Sequence, residues 1–402
     1  MVNTVAIACQ GGGSHTAFTA GVLKGILKEK EKKFEIVGLS GTSGGAICAL
    51  LAWYGLLKND RSESIRKLDS FWADNSARSL WDSILNEWVL WAARMQDVIS
   101  MPEISPYYYP AWAQDQLRRL LEKHVDFGEI KKLLTSSSPK LLIGAADVLS
   151  GKFKVFRNDE NSADTILASA AIPTFFRSVK IDDTVYWDGL FSQNPPLREF
   201  IMNYGYLFNW NDVPGKDNEK LSKFLAQKFD IDWIKNAKIE KINNDRTLKI
   251  STDKKCLLLA LNDKMTEVNL DIDGCRIDIF IANRENGKLK IYDSGVKPDE
   301  LWMIQINPEM QNDEPKSVKE IADRRNELSG NLSLNQEIYF IRMVNQWIED
   351  NYLSSDKFKK IAVKRIRMNK NLEYASKLNR DPAFIQDLMY YGEQEAEKFL
   401  KS

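Results

Sequence analysis

One five-residue turn, Gly41-Thr42-Ser43-Gly44-Gly45, constrains this chain more than any other feature. The apolar run Phe34–Leu39 enters it as a predicted strand, and Ala46–Leu57 leaves it as a strongly apolar predicted helix. A strand that passes into a helix within a few residues needs small residues at the bend, and glycine also relaxes the backbone limits there. G-x-S-x-G in this setting exposes a serine hydroxyl at the end of a strand. The amides that open the next helix then lie near any negative charge that develops beside that serine. A tight packing turn without chemistry is the competing reading of the same five residues.

A second glycine cluster, Gly11-Gly12-Gly13, follows the apolar run Val2–Ala8 and precedes helical spacing over Thr16–Lys30. Consecutive glycine amides can form a nest for an anion, here an oxyanion hole. Gly11-Gly12-Gly13-Ser14-His15-Thr16 lacks the last glycine of a dinucleotide-binding loop, and the lysine and serine of a P-loop are missing, which weighs against nucleotide binding. Two strand–turn–helix units in succession predict an α/β sheet with helices on its faces. The second helix is apolar almost all round and is expected to be buried.

Composition enters through its scarcest residue. Of 402 residues only two are histidine, His15 and His124. A three-histidine metal site is therefore impossible, HExxH is absent, and no metal is expected. The usual α/β-hydrolase order of serine, acid and histidine has no histidine beyond residue 124 to use, and His124 lies in the charged helical stretch 121–124. His15, inside the glycine-rich turn, supports that loop or takes part locally. A hydroxyl nucleophile still needs a base. The best-placed carboxylate is Asp188, which ends the run Val185-Tyr186-Trp187 and precedes Gly189. Burial there would raise its pKa and make it a better proton acceptor, although Asp-Gly is also a common turn.

The 56 Lys+Arg balance the 56 Asp+Glu, which argues against a nucleic-acid binder. Four widely spaced cysteines without a CxxC pair suggest ordinary thiols in a reducing compartment. The first residues lack the basic and long apolar regions of a signal peptide. No stretch reaches the roughly 18 apolar residues needed to span a bilayer. The expected location is the cytoplasm, with peripheral contact at a membrane.

Further along, residues 58–139 have a helical pattern and are rich in tryptophan. Trp81, Trp88 and Trp91 share one predicted helix face, suited either to packing on the sheet or to a lid that meets acyl chains or a membrane. Strands are expected at Leu141–Ala146 and Lys152–Phe156, a small-residue helix at Ser162–Ala171, and a hairpin over Val179–Trp187. Residues 213–299 alternate apolar and polar side chains and predict a β-rich insertion. A core strand at Leu301–Ile306, a helical stretch Ser317–Tyr352 interrupted near Ser329-Gly330, a strand at Lys360–Met368 and a final helix after Asp381-Pro382 complete the pattern.

Taken in order, Gly11-Gly12-Gly13, Gly41-Thr42-Ser43-Gly44-Gly45, Ala168-Ser169-Ala170-Ala171-Ile172-Pro173, and Asp188-Gly189 with Asn194-Pro195 resemble the motifs of the patatin-like phospholipases. Leu301-Trp302-Met303-Ile304 with Pro308 also resembles a late core strand of that family. The resemblance implies a three-layer α/β/α domain, placed over residues 1–212 and 300–402; its motifs do not cover residues 213–299, which the alternating pattern alone marks as a β-rich insertion or subdomain. It implies Ser43 as nucleophile, Asp188 as base without a histidine, and Gly11, Gly12 and Gly13 as oxyanion donors. The substrates it implies are acyl esters of phospholipids or related lipids, with no cofactor. The chain departs from the family pattern at Gln10, where Asp is usual, at His15 and Thr16, where a basic residue and glycine are usual, and at Leu190. Two other functions fit the same pieces: a non-catalytic lipid- or protein-binding module, and a protease, amidase or acyltransferase built on the dyad.

Overall fold

The computed structural model describes residues 2–402 except 30–32, 79–81, 84, 85, 88, 89, 91–104, 109, 110, 136, 174, 202–205, 230, 266, 273, 274, 286, 287, 294–296, 312, 354–358 and 371. Six strands come from the first half: β1 (Asn3–Cys9), β2 (Phe34–Gly41), β3 (Lys140–Asp147), β4 (Phe153–Arg157), β5 (Val179–Ile181) and β6 (Thr184–Asp188). Seven more follow in a block: β7 (Tyr206–Asn209), β8 (Lys238–Ile242), β9 (Thr247–Ser251), β10 (Cys256–Leu261), β11 (Glu267–Ile272), β12 (Cys275–Glu285) and β13 (Lys288–Asp293). The chain then returns with β14 (Glu300–Gln305) and β15 (Ala362–Arg367).

The main sheet has the order β15-β14-β1-β2-β3-β6-β5, with β4 also paired to β3. From β15 to β3 its strands are parallel; β4, β5 and β6 add antiparallel pairs. Parallel neighbours need crossovers that cover a sheet face, and several of the helices supply them. The helices described are α1 (Ala17–Leu27), α2 (Gly44–Leu57), α3 (Arg61–Asn75), α4 (Trp112–His124), α5 (Phe127–Leu133), α6 (Ala163–Ser169), α7 (Arg198–Ile201), α8 (Asn218–Phe229), α9 (Val318–Glu349) and α10 (Pro382–Lys401); α1 joins β1 to β2, α2–α5 join β2 to β3, and α9 joins β14 to β15.

Alternation along β1 shows how one strand serves two cores. Val5, Ile7 and Cys9 point into a cluster with α1, α2, α3 and α10. Ala6 and Ala8 point the other way, to Leu334, Ile338 and Ile341 of α9. In β14, Trp302 and Ile304 take the first side while Leu301 and Met303 take the second. The result is a mixed sheet between two helical layers, as the strand–helix alternation predicts.

The second sheet is antiparallel throughout, in the order β7-β13-β12-β11-β10-β9-β8. It carries a separate core, in which Leu221, Phe224 and Leu225 of α8 pack against Leu248, Ile250, Leu257 and Phe280.

The break expected near Ser329-Gly330 does not occur: α9 runs unbroken for 32 residues. A capping box at Ser317 and Glu320 starts it. Glycine inside a helix costs about 1 kcal/mol relative to alanine, but here it leaves room for a close approach. A Cβ on Gly330 would lie 2.6 Å from Asn307 Nδ2, so the missing side chain lets α9 press against the end of β14. Among the described residues, no helix is long and apolar enough to cross a membrane.

Candidate active site

β2 ends at Gly41, and the chain turns at Thr42 and Ser43 into α2. Ser43 has φ 56° and ψ −130°, a conformation rare for a residue with a side chain. Its surroundings hold it there. The Ser43 N–H donates to Ser169 Oγ at 3.0 Å, and that hydroxyl donates to the Gly144 carbonyl at 2.7 Å. Thr42 Oγ1 donates to the Gln193 carbonyl at 2.6 Å. Gly45 sits so close to β1 that a Cβ would fall 2.3 Å from the Cys9 carbonyl oxygen, which explains the glycine after the turn.

Asp188 closes β6. Its N–H donates to the Ala171 carbonyl at 3.0 Å, so the segment 168–173 steadies both Ser43, through Ser169, and Asp188, through Ala171. The Asp188 side chain is buried. Oδ1 accepts the Leu190 N–H at 2.7 Å, while among the described residues Oδ2 has no donor in hydrogen-bonding geometry. The Ser43 hydroxyl nevertheless lies near enough to favour the ionised carboxylate, so the two groups stand close without a well-aligned hydrogen bond. Burial dominates the balance and pushes the carboxyl up to about 7, against the opposing pull of Leu190 N–H and the Ser43 hydroxyl.

The glycine loop passes directly beside this turn: a Cβ on Gly11 would lie 2.9 Å from Ser43 Cβ. Its three amides are not equivalent. The Gly11 N–H donates to Asn194 Oδ1 at 2.7 Å in a buried contact, which removes it from the set of expected oxyanion donors. Among the described residues, no hydrogen bond uses the amides of Gly12 or Gly13. Asn194 was not singled out for this role in the sequence, although its place in the Asn194-Pro195 motif was visible. Replacing Asn194 by Ala should leave the buried Gly11 N–H unpaired and cost about 1–3 kcal/mol, measurable as a lower denaturant midpoint with an unchanged slope.

The departures at Gln10, His15 and Leu190 each have a local account. Gln10 is fully buried and uses both ends of its amide. Its Oε1 accepts the N–H groups of Ile306 and Asn307 at 2.9 and 3.0 Å. Its Nε2 donates to the Gly330 carbonyl at 3.2 Å and to Asn331 Oδ1 at 2.9 Å. An aspartate here could only accept, so glutamine fits a position that must also donate. His15 Nε2 shares a hydrogen bond of 2.7 Å with Ser376 Oγ. Burial, reinforced by the Lys377 ammonium, lowers this imidazole to about 3 and keeps it neutral. Its placement suits support of the loop. Leu190 Cδ1 lies 3.7 Å from the position of a Gly330 Cβ, beneath α9.

The second histidine lies elsewhere. His124 Nε2 pairs with Asp74 Oδ2 at 2.8 Å, and its Nδ1 meets Ser70 Oγ at 3.3 Å, which fastens α4 to α3. Among the described contacts, neither imidazole hydrogen-bonds Ser43. Trp81, Trp88 and Trp91, the expected acyl or membrane face, lie outside the described residues.

A sequence profile of the patatin-like phospholipases matches residues 7–201, an interval that contains Gly11–Gly13, Ser43 and Asp188. Residues 7–201 belong to the patatin-like phospholipase family. The α/β/α sheet agrees with that membership, and the patatin-like region ends within α7. Among solved structures, the chain is similar to VipD from Legionella pneumophila, with 10% identity over 100% of this chain and 67% of that one and a TM-score of 0.37. That likeness is too low to transfer a fold or a role. No curated protein matches the chain significantly.

Proposed function

We propose that this patatin-like chain is a serine acyl hydrolase that cleaves ester bonds of phospholipids or related lipids. The observation that carries the reading is the pairing of Ser43, held in a strained turn, with a buried Asp188 carboxyl whose pKa is near neutrality. Asp188 takes the proton of Ser43 Oγ as that oxygen attacks the ester carbonyl carbon. The tetrahedral oxyanion is stabilised by the amides of Gly12 and Gly13, with Gly11 held back by Asn194. The carbon–oxygen bond of the ester breaks, and the leaving alcohol or lysolipid takes the proton from Asp188. Water then gives a proton to Asp188 and attacks the acyl carbon; the bond from that carbon to Ser43 Oγ breaks, Asp188 returns the proton to Oγ, and the fatty acid leaves.

The base needs no histidine. A carboxylate near pKa 7 is half ionised at neutral pH and a stronger acceptor than an ordinary aspartate. Ser169 and Ala171, both buried, hold the backbones of Ser43 and Asp188, and Asn194 holds Gly11 beside them, which is the kind of positioning that acyl transfer asks of a scaffold. The reading includes contact with lipid at a membrane surface and a cytoplasmic location.

Purified protein offered a phospholipid, a short-chain ester and a matched amide should hydrolyse both esters and leave the amide intact. Amide cleavage at a comparable rate would shift the assignment to a protease or amidase. Three untouched substrates would point to a binding module.

A further inference from the structure

α9 has two faces of different character. Its inward face meets the candidate site, where the Gly330 carbonyl and Asn331 Oδ1 hold Gln10. On the outward face Ile321, Leu328, Leu332 and Tyr339 are all exposed, Leu332 at 62% and Tyr339 at 65%. Their separations of seven, four and seven residues keep them within about 40° around the helix axis. Val318 and Trp347, also exposed, extend the apolar face at either end, so it spans about 40 Å.

Charge on this face is one-sided. Over the span from Val318 to Trp347 the exposed charged residues among those described are Glu320, Arg325 and Arg342; Glu320 lies about 100° from the centre of the apolar face and its carboxylate accepts the N–H groups of Lys316 and Ser317, so the charges beside the apolar side chains are both basic. This occurs in a chain whose acidic and basic residues are equal in number. The other three acids of the stretch are engaged away from the outward face. Glu327 pairs with Arg324 and Glu337 with Arg198, both carboxylates being buried, while Asp323 accepts the Tyr374 N–H. A helix face meant only for water ordinarily carries charges of both signs. Aliphatic side chains with arginines and with Tyr and Trp, but without carboxylates, suit a negatively charged lipid interface. The arginine stems and aromatic rings can lie among acyl chains while their polar ends reach the headgroups.

We infer that the outward face of α9 is the surface by which this protein docks on anionic lipid bilayers. The biological purpose of this docking rests on the proposed lipid hydrolysis; its geometry does not. A second copy of the chain is the less suitable occupant, because the two arginines would face a partner surface without carboxylates.

The test is co-sedimentation of the full chain with vesicles of phosphatidylcholine alone and of phosphatidylcholine mixed with phosphatidylglycerol. Turnover of a water-soluble short-chain ester is followed in parallel. The wild type should bind the mixed vesicles more tightly than the neutral ones, and added salt should weaken that binding. Replacing Leu332 and Tyr339 together by Ser should reduce binding about tenfold or more, with soluble-ester turnover and thermal midpoint unchanged. Arg325→Gln with Arg342→Gln should remove the preference for phosphatidylglycerol. Unchanged binding by the folded serine variant, or no vesicle binding by the wild type, would overturn the inference. A shift from dimer to monomer in light scattering on the same substitutions, without loss of vesicle binding, would assign the face to self-association instead. Failure of ester turnover with intact vesicle binding would count against the proposed hydrolysis and leave the docking surface standing.

Discussion

Ser43→Ala is expected to reduce ester hydrolysis by about a million-fold, the scale seen when a serine hydrolase loses its nucleophile. The fold should survive. The Ser43 backbone is held by Ser169 Oγ at its N–H and by the turn into α2, and neither contact uses the Ser43 hydroxyl. The variant should therefore melt with the wild type while turnover falls to background. Retention of wild-type turnover in a preparation free of contaminating esterase would remove Ser43 from the mechanism.

The second large effect concerns Asp188. Asp188→Asn keeps the size of the side chain but cannot take a proton, and turnover should fall by about 10²–10⁴-fold. The wild-type pH profile should carry the signature of the same group. Burial holds the carboxyl near 7, and on the proposed mechanism only its ionised form accepts the Ser43 proton. Activity in kcat/KM should thus fall tenfold per pH unit below about 7 and level off above it. The asparagine variant should lack that acid limb. Stability runs in the opposite sense. A carboxyl whose folded pKa is raised favours the folded state most at low pH, and that contribution is lost as pH rises through about 7. Above pH 7 the asparagine variant, which buries no charge, should be at least as stable as the wild type. A profile flat between pH 5 and 8 in the wild type would show that Asp188 is not the base.

Much of this arrangement was legible in the chain, and the limits follow physical lines. Short apolar runs ending at glycine located β1 and β2, and the spacing after Gly13 and Gly45 located α1 and α2, because local pattern and tertiary fold agree there. The hairpin over Val179–Trp187 formed around Asp182 and Asp183 as its turn chemistry predicts. Gly330 misled because helix propensity prices a glycine by its neighbours in sequence. Its reason lies in Asn307, which only the fold brings close.

The site divides in the same way. Ser43 and Asp188 carried their own local signals, an elbow pattern and a carboxylate at a strand end. The polar frame around them did not. Ser169, Asn194 and Gln10 act through contacts with residues distant in the chain, and a serine, an asparagine and a glutamine have no distinctive pattern of their own. The two histidines illustrate the converse. Their scarcity argued against a triad, and both are bound to other side chains, His15 to Ser376 and His124 to Asp74.

The central claim is that Ser43 is a nucleophile activated by Asp188, and covalent labelling tests it most directly. After incubation with an active-site serine phosphonate, intact-mass analysis should show one adduct per chain, and peptide mapping should place it on Ser43. Ser43→Ala should remain unlabelled, and Asp188→Asn should label far more slowly than the wild type. An adduct on another residue, or folded wild-type protein that stays unlabelled, would contradict the account.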